Sequence, residues 1–195
     1  MTHSIGIAGT GRMGTAFARR LIETGHQVRV WNRSSARTAA AVEAGAVAVD
    51  PAGLAGCDVV ILSLTDAAAS GAVLDALAGA GIAGRLIIEM STLLPAEAEA
   101  LAANAEGAGA DFVHCPVGGT VAPALKGQLL GLVGGSAKAV ARARPVLEAL
   151  CRRVESLGSA AAAARMKLAV NLPLATYWQT LGESLLLLRG AGIPA

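Results

Sequence analysis

The sequence predicts an α/β fold: a doubly wound, mostly parallel sheet covered by helices on both faces, followed by one long C-terminal helix. Three observations predict it. Short β-rich runs alternate with alanine-rich helical runs over residues 1–158, the pattern of successive βαβ units. The strand-like runs "DVVILSL" (58–64) and "RLIIEM" (85–90) are apolar almost throughout, as strands buried on both faces are. Residues 159–189 then read as a single helix of about 30 residues, long for a globular protein.

Taken in order, "SIGIAG" (4–9) and "QVRVW" (27–31) have strand character and flank a helix over 12–24 that Gly25 terminates. Strands follow at 46–49, 58–64, 85–90 and 111–115, with helices between them at 35–44, 67–79 and 94–106. Pro95 fits the first turn of the last helix. From Pro116 the texture changes. "PVGGTVAPALKGQ" (116–128) reads as a Gly/Pro-rich loop, 129–135 as a further strand, 137–150 as a helix, and 152–158 as a return to the sheet edge. Pro173 lies inside the long helix, where a kink is expected.

Composition limits the function classes. A chain of 195 residues, 54% hydrophobic and only 15% charged, buries a full core and is not disordered. The run "LLLL" (185–188) is closed at once by Arg189 and Gly190, far short of the roughly 20 apolar residues a membrane helix needs. The N-terminus "MTHSIGIAG" has no basic region followed by an apolar core, so no signal peptide is expected and the protein reads as cytoplasmic. Cys57, Cys115 and Cys151 are odd in number, widely spaced and set in apolar segments; they read as reduced core thiols, with no disulfide frame and no metal site. A net charge of +2 without a basic run argues against nucleic acid as a partner, and Arg142, Arg144, Arg152 and Arg153, interrupted by Glu148 and Glu155, read as solvated surface.

The chemistry-bearing motifs fall at the ends of predicted strands. "GIAGTGRMG" places Gly9, Gly11 and Gly14 in a G-x-G-x-x-G pattern after the first strand and at the start of the first helix, the context of a Rossmann-type dinucleotide site. Gly9 permits the tight turn, Gly11 lets the backbone approach a pyrophosphate, and Gly14 allows close packing of helix on strand. Thr10, Arg12 and Met13, in the same turn, join the expected cofactor contacts. The second strand ends in Asn32, Arg33 and Ser34 where an NAD-specific site carries a carboxylate. A guanidinium beside hydroxyls suits a 2′-phosphate, which favours NADP over NAD, although Ser34 or Ser35 also suits a helix cap. Leu64 and Thr65 after the fourth strand are expected to line the cofactor, and Ser91 and Thr92 after the fifth to donate to nicotinamide or substrate; Ser91 reads equally as a helix cap. Lys167 and Asn171 are four residues apart and share one face of the long helix.

In this order, "GIAGTGRMG", "VWNRS", "STLLP", "CPVGGTVAPALKGQLLGLVGG" and "KLAVN" resemble the β-hydroxyacid dehydrogenase family, which includes the related imine reductases. The resemblance implies an NADP-binding Rossmann-type domain over 1–158 and a long interdomain helix over 159–195 that begins an all-helical domain forming much of a dimer interface. It further implies that Asn32 and Arg33 face the adenosine ribose, that Ser91 lies on the cofactor and substrate loop with Thr92, and that Gly118, Gly119 and Thr120 cradle a substrate carboxylate. Lys167 matches the family's catalytic lysine, and Asn171 the asparagine that orients the substrate. The family's substrate loop reads Ser-Gly-Gly after "PV"; here the hydroxyl is absent at Gly118 and a threonine stands at 120. The expected function is therefore NADP-dependent reduction or oxidation of a small β-hydroxy acid or semialdehyde, with Lys167 as general acid/base and a homodimer formed through the C-terminal helix. The alternatives are a dinucleotide-binding module without turnover and an imine reductase-like activity.

Overall fold

In the computed structural model the apolar strands are covered on both sides by collecting into one sheet. The structure describes residues 3–193, and among them nine strands form that sheet. β1 (Ser4–Ala8), β2 (Gln27–Trp31), β3 (Val47–Ala48), β4 (Val59–Leu62), β5 (Leu86–Glu89) and β6 (Asp111–His114) are all parallel, in the spatial order 3-2-1-4-5-6. This is the doubly wound Rossmann order, with its switch point where β1 lies between β2 and β4. The connecting helices are α1 (Arg12–Glu23), α2 (Ala39–Val42), α3 (Ala67–Ala80) and α4 (Pro95–Gly107). Beyond β6 the chain reverses. β7 (Val117–Gly118) and β8 (Leu129–Gly135) are antiparallel and flank α5 (Val121–Leu125). α6 (Ala137–Leu150) leads to β9 (Cys151–Ser156), which pairs parallel with β8 at the sheet edge. α7 (Ala160–Gly190) ends the described chain.

Alternate residues of each strand feed two cores. Ile5, Ile7, Val30 and Ile61 pack with Phe17 and Leu21 of α1 and Val146 and Leu147 of α6. Val60, Leu62, Ile87 and Phe112 pack on the opposite face with Leu74 and Leu77 of α3 and Leu101 of α4. Each such fully buried side chain contributes roughly 1.5–3 kcal/mol of transfer free energy.

Three local readings are corrected. The helix expected over 35–44 is a 3-10 turn, Ser35–Thr38, followed by only the four residues of α2. Neither segment has a side-chain cap and only Ala41 reaches the core, so a longer helix there would lack a packed face to stabilise it. The expected loop over 116–128 contains β7 and α5, because the extended chain after Pro116 pairs with Leu130 and Gly131 of β8. Arg142, expected to be solvated, instead pairs with Asp111 and donates to the Gly84 carbonyl at 3.0 Å, fastening α6 to β6. All three cysteines are buried and free; burial pushes the Cys151 thiol up to about 12 and the Cys115 thiol up as well, which leaves both unreactive.

α7 has two unlike halves. Ser159 caps it, its Oγ accepting from the Ala162 amide at 3.1 Å, and Ala160, Ala161, Ala163 and Ala164 are buried against α4 and β8. Only small side chains allow that approach: a Cβ on Gly134 of β8 would overlap the Ser159 carbonyl. From Met166 onward the helix emerges, leaving Leu172, Leu174, Tyr177, Trp178, Leu186 and Leu187 exposed. Helical structure continues through Pro173 to Gly190. Among the described residues no helix is long and apolar enough to cross a membrane.

Candidate functional site

The switch point puts a crevice above the carboxyl ends of β1, β4 and β5, and the glycine motif forms its first wall. Gly9 has φ +97°, a left-handed turn whose hypothetical Cβ would collide with the Ser63 carbonyl. A Cβ on Gly14 would in turn overlap the Gly9 carbonyl oxygen, so α1 can approach β1 only because residue 14 has no side chain. Gly11 is the N-cap of α1, and a Cβ there would meet open space. The first turn of α1 has no side-chain cap and no acidic residue, so its amides face outward unsatisfied. An uncapped, acid-free helix start beneath open space fits the pyrophosphate of a dinucleotide. Thr10 is buried beside it with its Oγ1 unpartnered.

Two neighbouring depressions extend from this turn. One, of about 250 Å3, is lined by Met13 and Phe17 of α1, Ser63 and Leu64 after β4, and Met90, Ser91 and Thr92 after β5. Val117, Gly119 and Lys167 close its far side. The other, wider and about 610 Å3, lies between the start of α1 (Thr10, Gly11, Arg12, Thr15) and the segment carrying Arg37, Ala40 and Glu43. Arg37 is a second guanidinium near the glycine turn that the motif reading passed over.

Lys167 is brought to the first crevice from fifty residues away in sequence. Its Nζ donates to the Val117 carbonyl at 2.9 Å and to Asn171 Oδ1 at 3.1 Å. The lysine is half-buried, and burial holds its pKa below the ordinary lysine value. The expected pair on one helix face is thus a hydrogen-bonded pair whose lysine lines the crevice.

The other expected residues divide. Ser91 is buried, and its Oγ accepts from the Leu64 amide at 2.9 Å, tying the loops after β4 and β5 together. It does not cap α4, whose first turn is closed by Glu97 accepting from the Leu94 amide at 2.8 Å. Thr65 is exposed and donates to Asp66, outside both depressions. Asn32 has both ends of its amide engaged: Oδ1 accepts from Thr10 N at 3.2 Å and Nδ2 donates to the Ser34 carbonyl at 3.1 Å. It braces the glycine turn against the end of β2. Arg33 and Ser34 are exposed, and Ser34 makes no side-chain cap. Gly119 lines the first crevice, Gly118 is half-buried in β7, and Thr120 is the exposed N-cap of α5.

Sequence reasoning missed the polar residues beneath the crevice. Glu89 and His114 end β5 and β6, are partners in register, and are both fully buried. Burial raises the Glu89 pKa, and it lowers that of His114 to about 4, so the imidazole is neutral near pH 7. Glu89 Oε1 accepts from the Ser91 amide at 2.7 Å. The available signal was a charged residue closing "RLIIEM" in phase with the buried Ile87.

Comparison with known proteins places these features in a family. Residues 4–158 match the sequence profile of the NAD binding domain of 6-phosphogluconate dehydrogenase. The chain belongs to the β-hydroxyacid dehydrogenase family. Glyoxylate/succinic semialdehyde reductase 2 of Arabidopsis thaliana is a family relative 32% identical over 98% of this chain and 55% of its own length. The structure of 3-hydroxyisobutyrate dehydrogenase from Mycobacterium tuberculosis with L-serine superposes with a TM-score of 0.89 at 29% identity, over 100% of this chain and 68% of that one. Psf3 in complex with NADP+ and 2-OPP gives 0.87 at 31% identity, over 97% and 69%. This chain therefore spans between about half and two thirds of the family members it matches. It carries a dinucleotide-binding domain of the oxidoreductase type.

Proposed function

We propose that this chain binds NADP and provides the acid/base lysine for reducing or oxidising a small β-hydroxy acid or semialdehyde. The observation carrying this reading is Lys167 Nζ, fixed by the Val117 carbonyl and Asn171, in the same crevice as Leu64, Ser91 and Thr92. The bound dinucleotide supplies or accepts the hydride. Lys167 supplies what the protein must add: a cation that stabilises charge developing on the carbonyl oxygen, and a proton for the resulting alkoxide. Partial burial brings its pKa toward neutrality, which serves both directions of the reaction. Asn171 and the Val117 carbonyl accept from the ammonium and orient its remaining proton toward the crevice.

NADP is preferred because Arg33 and Ser34 stand exposed at the end of β2 in a run, residues 32–35, that carries no carboxylate, and Psf3, a relative of 31% identity, is seen in complex with NADP+. Titration of protein fluorescence with NADPH and NADH tests this. NADPH is expected to bind at least about tenfold more tightly, and Arg33→Ala to remove most of that preference, as loss of a charge-assisted contact does. Equal affinities for the two coenzymes would sink the assignment.

A second reading, dinucleotide binding without turnover, draws on α7, whose outer half exposes Leu172, Trp178 and Leu187. We also place a homodimer contact on that face, since contiguous exposed apolar surface of this kind drives association. Light scattering should show the mass rising toward that of a dimer with concentration; a monomer mass at every concentration counts against it.

A further inference from the structure

The carboxyl group of Glu89 lies fully buried at the end of β5, and among the described residues it has no ion-pair partner. A buried carboxyl without a cation is costly as an anion and is accommodated as the neutral acid. Oε1 accepts from the Ser91 amide at 2.7 Å. Oε2 is unpartnered, as are the Ser70 Oγ of α3 and the Nε2 of His114. The His114 Nδ1 lies 3.1 Å from the Glu89 carbonyl oxygen. That oxygen accepts only, so Nδ1 carries the ring proton and Nε2 is an acceptor.

Glu89 does not line the crevice, but Ser91 and Leu64 do. The connection runs in three steps: Glu89 fixes the Ser91 backbone, the Ser91 hydroxyl accepts from the Leu64 amide at 2.9 Å, and Leu64 begins the loop that leaves β4. Breaking the first step frees the Ser91 turn, so the Leu64 amide loses its acceptor and the two walls separate.

We propose that Glu89 is a positioning residue: acting through Ser91, it holds the loop after β5 against the loop after β4 and so sets the width of the crevice. Its effect on coenzyme affinity rests on the reading of that crevice as the NADP site; its effect on the loops does not.

The test uses Glu89→Gln, which keeps the acceptor oxygen, and Glu89→Met, which keeps the length and removes it. Amide hydrogen exchange of Leu64 is followed by NMR and NADPH affinity by fluorescence titration, with far-UV circular dichroism as the check on folding. Glu89→Gln is expected to stay within about twofold of the unsubstituted chain in both measurements. Glu89→Met is expected to exchange the Leu64 amide about tenfold faster or more and to weaken NADPH by a similar factor, the consequence of losing one buried hydrogen bond. Unchanged Leu64 exchange in Glu89→Met, or equal losses in both variants, overturns the proposal. If Glu89→Met does not fold, Glu89→Leu takes its place with the same supporting and overturning results, and Ser91→Ala tests the second contact, where unchanged Leu64 exchange breaks the chain. If the unsubstituted chain binds no NADPH, the coenzyme reading fails while the exchange result still decides the role of Glu89.

Discussion

Gly14→Ala is expected to lower the thermal midpoint by on the order of 10 °C and to abolish measurable dinucleotide binding. The added methyl has nowhere to go. It would overlap the Gly9 carbonyl oxygen, and Gly9 is itself backed by the Ser63 carbonyl, so two backbone segments hold the clash in place. Relief requires α1 to move off β1, which uncovers Phe17 and Leu21 and displaces the amides at Gly11 and Arg12. Overpacking a close-fitting core costs typically about 1–3 kcal/mol, and a backbone clash lies at the upper end. At roughly 2–4 °C per kcal/mol for a chain of this size, that gives the stated shift. Gly11→Ala separates the two roles of the motif. Its Cβ meets nothing, so the midpoint should hold while binding weakens. Circular dichroism melts together with an NADPH titration check both, and a Gly14→Ala protein that melts and binds like the unsubstituted chain would refute the packing argument.

On the role proposed for Lys167, Lys167→Ala is expected to leave NADPH affinity within about twofold and to reduce any turnover of a small semialdehyde by about 10^3, within the range for losing a general acid that also stabilises charge. The lysine's contacts are with Val117 and Asn171, not with the glycine turn, so cofactor binding and proton delivery are separable. Lys167→Arg is the sharper control. It keeps the charge but does not release a proton near neutrality, so it too should lose turnover. Activity persisting in Lys167→Ala would place the lysine outside the reaction.

Much of this was legible locally. The glycine spacing, the apolar strands at 58–64 and 85–90, and the order of motifs predicted the parallel sheet and the crevice at its switch point. Asn32 shows where such reading stops. As a residue type it suits a ribose; that its amide also spans from Thr10 to the Ser34 carbonyl and braces the turn is visible only in the structure. The segment at 35–44 shows the same limit in the fold: alanine content favours a helix, but without a cap or a packed face only a turn and four helical residues form. Glu89 and His114 were hidden because a polar residue at a strand end usually faces solvent, and only the cover of helices on that face makes them interior.

The sequence by itself determined the fold class, the dinucleotide turn and the helix carrying Lys167 and Asn171, because those depend on spacing within a few residues. The tertiary structure decided which of those residues meet. Alanines 160, 161, 163 and 164 seat α7 against α4 and β8, and that seating carries Lys167 to the Val117 carbonyl. The strand pairing of β5 with β6 places Glu89 beside His114 in the interior. Such contacts join segments far apart in the chain and arise from close packing and exclusion of water, which local pattern does not encode.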